Sequence, residues 1–318
     1  MKVAVLGAGA LGSILAGHLA RAGEDVTLIA RGDRAGYLRE NGITIAGVAE
    51  FNTPCPITSD PTELSDADVL IVTVKTHDME AAISSLAHVK FSSVISVQNG
   101  VHVNEQLAGF FGAACTVGSS AYFSGEMSPN GDVRFTVNDG FFIGELPEGV
   151  SDRVQDLSAM LQNAGIKSEA VANIQTFQWS KFAAWGAAAP VSILTRLATY
   201  RFLLDRDSAM IFVRIAREIA GIADKMGITV EDSGPFTVKA WVSGSEEEAV
   251  SALQELGAYL EANAPGHRVS ILQDLERGRR LEIDETLGYA VAEARRLDIP
   301  APTLETCYGL LRGINRNL

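Results

Sequence analysis

Two sets of residues in this chain could carry chemistry. Near the start, Gly7, Gly9 and Gly12 stand at G-x-G-x-x-G spacing, and far downstream Lys181 falls on an otherwise apolar helical stripe. The glycine spacing suits a pyrophosphate. Gly7 permits a tight turn, Gly9 lets backbone approach the anion, and Gly12 lets helix and strand pack closely. Ala10 and Leu11 complete the loop. The apolar run Lys2–Leu6 before it reads as a strand, and Ile14–Ala20 after it reads as a helix. In that order the helix turns its unbonded N–H groups and positive end toward the anion, as in a dinucleotide-binding βαβ unit.

Ile174, Phe177, Lys181, Trp185 and Ala188 recur at three- and four-residue spacing. They form one stripe, expected to face the core. An ammonium there is costly unless paired, and its pKa falls, which prepares it for proton transfer. Alternatively the stem packs while the head reaches water. The pattern alone leaves both open.

Other candidates lie at strand ends. The second strand, Asp25–Ala30, runs into Arg31, with Arg34 close behind. A guanidinium suits the 2′-phosphate of NADP, whereas NAD sites usually place a carboxylate here. Asp33 is a weak rival for an NAD reading, and both arginines could instead be solvated loop charges. Val69–Val74 ends at Lys75, and Val94–Val97 ends just before Asn99. Ligands of open α/β sheets bind beyond the carboxyl ends of the strands, which makes Lys75 and Asn99 candidates. The competing readings are a surface lysine and a turn former beside Gly100. His18 and His77 read as structural or loop residues, and no metal-ligand cluster is visible.

The elements that must position these groups suggest two domains, 1–172 and 173–318. A length of 318 residues allows each its own core. The stretch Cys115–Glu145 reads as antiparallel strands completing the sheet, with turns at Pro129–Gly131 and Asn138–Gly140. A helix over Val150–Ala164 and a short strand over Ser168–Val171 follow. Beyond that the chain reads as helices: Ile174–Leu197, Asp205–Met226, one opened by a Ser245/Glu248 capping box, a long one over Val269–Tyr289, and Thr303–Ile314. A net charge of −13 argues against nucleic acid or an anionic membrane as partner. Three widely spaced cysteines suit a reducing compartment, and no signal peptide or membrane-spanning run is found, so a cytoplasmic location is expected.

Taken in order, these pieces resemble the ketopantoate reductase (2-dehydropantoate 2-reductase) family over essentially the whole chain. The resemblance rests on G-A-G-A-L-G, R-G after the second strand, V-T-V-K-T, V-Q-N-G-V, W-S-K, S-I-L-Q-D-L with E-I-D twelve residues later, and I-P-A-P-T. It implies an α/β Rossmann-type dinucleotide-binding domain followed by an all-α C-terminal domain of the 6-phosphogluconate dehydrogenase-like type. It also implies NADPH-dependent reduction of the 2-keto group of ketopantoate to pantoate, for pantothenate biosynthesis. Residue by residue, Lys181 matches the catalytic lysine that protonates the keto oxygen, and Asn99 matches an asparagine at the cofactor–substrate junction. Ser270 and Glu282 match substrate-site residues, with Glu282 a candidate acidic partner of Lys181, and Arg31 and Lys75 match NADP contacts. Twelve residues of straight helix would part Ser270 from Glu282 by about 18 Å, so Ser270 must start a helix or the helix must bend.

The chain departs from the family at Trp185 and Ala189, where members carry asparagines four and eight residues after the lysine. Two amides become an indole and a methyl, which weakens discrimination for a substrate hydroxyl. The small-molecule partner is therefore a 2-oxo acid, ketopantoate by default, with a less hydroxylated one as the alternative. A homodimer is compatible with this reading. A non-catalytic NADP-binding sensor is the alternative from a different class.

Overall fold

The computed structural model describes residues 1–318. They fall into two compact units, Met1–Gln98 with Val103–Gln175, and Asn99–His102 with Thr176–Leu318.

The first unit contains strands β1 (Lys2–Leu6), β2 (Asp25–Ile29), β3 (Ile43–Gly47), β4 (Phe51–Thr53), β5 (Ile57–Thr58), β6 (Ala67–Val72), β7 (Phe91–Ser96), β8 (Gly118–Met127), β9 (Val133–Gly144) and β10 (Glu169–Ala170). Its helices are α1 (Ala10–Arg21), α2 (Gly32–Asn41), α3 (Met79–Ser84), α4 (Val103–Phe111) and α5 (Asp152–Asn163). Five parallel strands form one sheet in the order β5-β2-β1-β6-β7. Alternation along β1 explains why it is apolar throughout. Val3 and Val5 join a core with Ile14 and Leu15 of α1, while Ala4 and Leu6 join Met79, Ile83 and Leu107 on the other face.

The later strands correct the sequence reading in two respects. Cys115–Val117 pairs with Val94 of β7 through one parallel bridge, but β8 and β9 belong to a second sheet, β10-β9-β3-β4, with β8 antiparallel to β9. The hairpin turns at Pro129–Gly131 as expected, but Asn138–Gly140 lies inside β9. There the register with β8 shifts between Ala121 and Phe123, so the N-D-G triplet makes a bulge instead of a turn.

The helical unit follows with α6 (Ile174–Thr195), α7 (Thr199–Leu204), α8 (Arg206–Lys225), α9 (Val238–Val242), α10 (Glu246–Asn263), α11 (Ser270–Glu276), α12 (Tyr289–Arg296) and α13 (Pro302–Asn315). Phe182, Phe202, Phe212, Ile219, Trp241 and Leu287 are among the buried side chains of its core. The capping box at the head of α10 forms in both directions, Glu248 N to Ser245 Oγ at 3.2 Å and Ser245 N to Glu248 Oε2 at 2.9 Å.

The single long helix expected over Val269–Tyr289 does not form. α11 ends at Glu276, where the N–H groups of Gly278 and Arg279 turn back to the carbonyls of Leu275 and Asp274 at 3.0 and 2.9 Å. A short irregular segment, 280–283, then leads to a one-turn π-helix, Asp284–Gly288, which runs into α12. Ser270 is thus the first residue of its own short helix. All three cysteines are free thiols. No helix is long and apolar enough to cross a membrane.

Candidate active site

The glycine loop is built as its spacing requires. Gly7 sits at φ +111°, and a Cβ on Gly12 would stand 2.0 Å from the Gly7 carbonyl oxygen, so helix and strand touch there through backbone alone. At Gly9 a Cβ would meet no protein atom within 4 Å, which leaves the approach to the loop open. Gly9 caps α1 without a side-chain hydrogen bond, and no acidic residue occupies the first turn. The N–H groups at this helix end are therefore not claimed by a carboxylate, and the arrangement fits a phosphate-bearing ligand.

Thr73, which the sequence reading left aside, and Arg34, which it offered beside Arg31, hold this loop. Thr73 donates its hydroxyl to the carbonyls of Leu6 (3.0 Å) and Gly7 (2.8 Å). The guanidinium of Arg34 is engaged by the protein and is not a solvated charge. It donates to the carbonyls of Ala8 (3.1 Å) and Gly131 (2.5 Å) and to Ser13 Oγ (2.9 Å). Arg31, at the head of α2, is exposed and makes no such bond, which leaves its fork available. Lys75 is half-buried where the chain leaves β6 and begins a turn of 3-10 helix.

The lysine stripe starts buried at Ile174, as expected, but beyond it faces the other way. Phe177, Lys181, Trp185 and Ala188 are the partly accessible face of α6, while Gln178, Trp179, Ser180, Phe182, Ala183, Ala184 and Ala187 are buried around them. No contrast between faces is legible because α6 is apolar on all sides. Lys181 keeps a little surface open, yet the protein crowding its ammonium pushes its pKa down from 10.5 to about 8. Trp185 shares this face one turn on, its ring stacked over Phe182 at 6.5 Å. Ala189 does not share it. It is wholly buried in the helical core and presents no surface to a ligand, because eight residues rotate it well round the helix from Lys181.

Asn99 follows β7 in sequence yet belongs to the helical unit, as do Lys181, Ser270 and Glu282. Its neighbours anchor it there. Val101 is in the helical core, and His102 stacks on Tyr289 with ring centres 4.5 Å apart and planes at 14°. Glu282 is buried, whereas Ser270 is exposed at the start of α11. The glycine loop, Arg31 and Lys75 belong to the other unit.

Both units match models of one family. The model of ketopantoate reductase PanE/ApbA matches residues 3–148, and the model of its C-terminal domain matches residues 173–315.

The chain belongs to the ketopantoate reductase family. It is an oxidoreductase of the class acting on CH–OH groups. It is 28% identical over 317 residues to the 2-dehydropantoate 2-reductase of Archaeoglobus fulgidus, covering 100% of this chain and 99% of that one. Among solved structures it is similar to a PanE/ApbA family ketopantoate reductase from Ralstonia eutropha JMP134, with 25% identity, TM-score 0.84, and 100% and 99% of the two chains covered. D-mandelate dehydrogenase, solved with NADH and anilino(oxo)acetate, shares the fold at TM-score 0.84 and 17% identity over 100% and 99% of the two chains.

Proposed function

We propose that this family member reduces the 2-keto group of a small 2-oxo acid with NADPH, ketopantoate being the default substrate, and that Lys181 is the proton donor. The observation that carries the reading is Lys181 itself, a half-buried residue on the accessible face of α6 whose ammonium is crowded by protein and has its pKa lowered to about 8. A general acid works best when its pKa lies near the working pH.

The loop Gly7, Gly9, Ala10, Leu11 and Gly12 would hold the pyrophosphate, Arg31 the 2′-phosphate, and Lys75 and Asn99 the remainder near the substrate. When bound, the dihydronicotinamide supplies the hydride that reaches the carbonyl carbon. Lys181 donates its proton to the keto oxygen as negative charge develops there, and leaves as the neutral amine. Solvent then returns the proton. Asn99 and Ser270 offer hydrogen bonds that fix the 2-oxo acid, and the buried carboxylate of Glu282 supports the lysine's charge before transfer.

Trp185 favours a second reading, a less hydroxylated 2-oxo acid. An indole on the open face replaces an amide that would hydrogen-bond a substrate hydroxyl, whereas Ala189, in the core, has no part in the choice. Steady-state NADPH oxidation with ketopantoate beside 2-oxoisovalerate tests both. A large kcat/KM preference for ketopantoate supports the first. Equal or reversed preference supports the second, and no turnover with any 2-oxo acid despite NADPH binding removes the reductase reading.

A further inference from the structure

One buried side chain, Thr286, touches both Gly100, the neighbour of Asn99, and the backbone of Glu282. It lies in the middle of the π-helical turn Asp284–Gly288, whose signature bond runs five residues, from Gly288 N to the Ile283 carbonyl at 2.8 Å. Such turns are rare and often occur at functional sites. Thr286 is fully buried. Its hydroxyl donates to the backbone carbonyl of Glu282, so it ties down the residue that carries the carboxylate. Its methyl closes against Gly100, where a Cβ would stand 2.9 Å from Thr286 Cγ2 on a backbone with φ +88°. Gly100 is the residue after Asn99. Two residues further on, His102 stacks on Tyr289, the first residue after the π turn.

We propose that Thr286 is a positioning residue that sets Asn99 through its methyl and Glu282 through its hydroxyl. The inference rests on the assignment of Asn99 and Glu282 to the substrate site. With no exposed surface, Thr286 does not touch substrate. It acts by fixing two short segments against each other, and displacements near 1 Å at such a site cost up to about a hundredfold in rate.

The two halves of the side chain can be removed separately. Thr286→Ser keeps the hydroxyl and empties the space beside Gly100. Thr286→Val keeps the methyl and releases the Glu282 carbonyl. Each is made in the natural chain, in Asn99→Ala and in Glu282→Gln, and kcat, KM and Tm are measured with NADPH and the best 2-oxo acid. The expected result is a loss in kcat/KM of about tenfold for each Thr286 variant alone. Thr286→Ser should then cost little more in Asn99→Ala, and Thr286→Val little more in Glu282→Gln, because a positioning residue has no effect once its client is gone. Losses that multiply in both backgrounds, whether or not Tm falls, mark a merely structural threonine and overturn the inference, as does natural kcat/KM in both Thr286 variants. If Asn99→Ala and Glu282→Gln themselves keep full turnover, the assignment of those residues falls instead.

Discussion

Gly12 and Gly7 meet so closely that a Cβ on Gly12 would lie 2.0 Å from the Gly7 carbonyl oxygen and 2.5 Å from Thr73 Oγ1. Neither neighbour can yield cheaply, since the first is backbone and the second is hydrogen-bonded to that same backbone. Gly12→Ala should therefore lower Tm, at a cost of about 1–3 kcal/mol for overpacking, and lower dinucleotide affinity with it. Gly9→Ala meets no protein atom within 4 Å, so it should leave Tm unchanged and lose only affinity. Thermal melts and fluorescence titration with NADPH separate the two. Equal Tm values would contradict the packing argument.

The two arginines after β2 should behave differently. Arg31 is exposed and unengaged, so Arg31→Ala should leave Tm unaltered and weaken NADPH much more than NADH. Arg34 braces Ala8, Ser13 and Gly131, so Arg34→Ala should lower Tm and weaken both dinucleotides alike. Equal loss of NADPH and NADH in Arg31→Ala would remove the 2′-phosphate argument.

The pKa of Lys181 gives a signed pH dependence. Reduction needs the protonated lysine, so its kcat/KM should be flat below about 8 and fall as pH rises through that value. Oxidation of the 2-hydroxy acid needs the neutral amine and should rise across the same window. The two profiles, measured at fixed ionic strength, should cross near the same pH. A reduction rate that is level up to pH 10 would assign the proton to another group.

How legible the chain was differs by element. The glycine loop and the parallel strands could be read because their spacing carries the packing reason with it, as at Gly12. The direction of the Lys181 stripe could not. α6 is apolar all round, so only the packing of α8 and its neighbours decides which face stays open. The break after Glu276 was hidden because the apolar and polar residues up to Tyr289 read as one helix, whereas the N–H groups of Arg277, Gly278 and Arg279 turn back on α11 and that of Leu281 goes to Asn315. Thr73, Thr286 and the bracing role of Arg34 escaped because their work is hydrogen bonding to backbone distant in sequence or in an irregular turn, which leaves no periodic trace. The second sheet went unread because β3 and β9, which form its centre, are far apart in the chain.

The most direct measurement is kcat for Lys181→Ala with saturating NADPH and the best 2-oxo acid, beside its NADPH affinity. A positioned general acid contributes about 10²–10⁴-fold, so kcat should fall by that factor while NADPH binds as before. Turnover within about tenfold of the natural chain would contradict the assignment of Lys181 as proton donor.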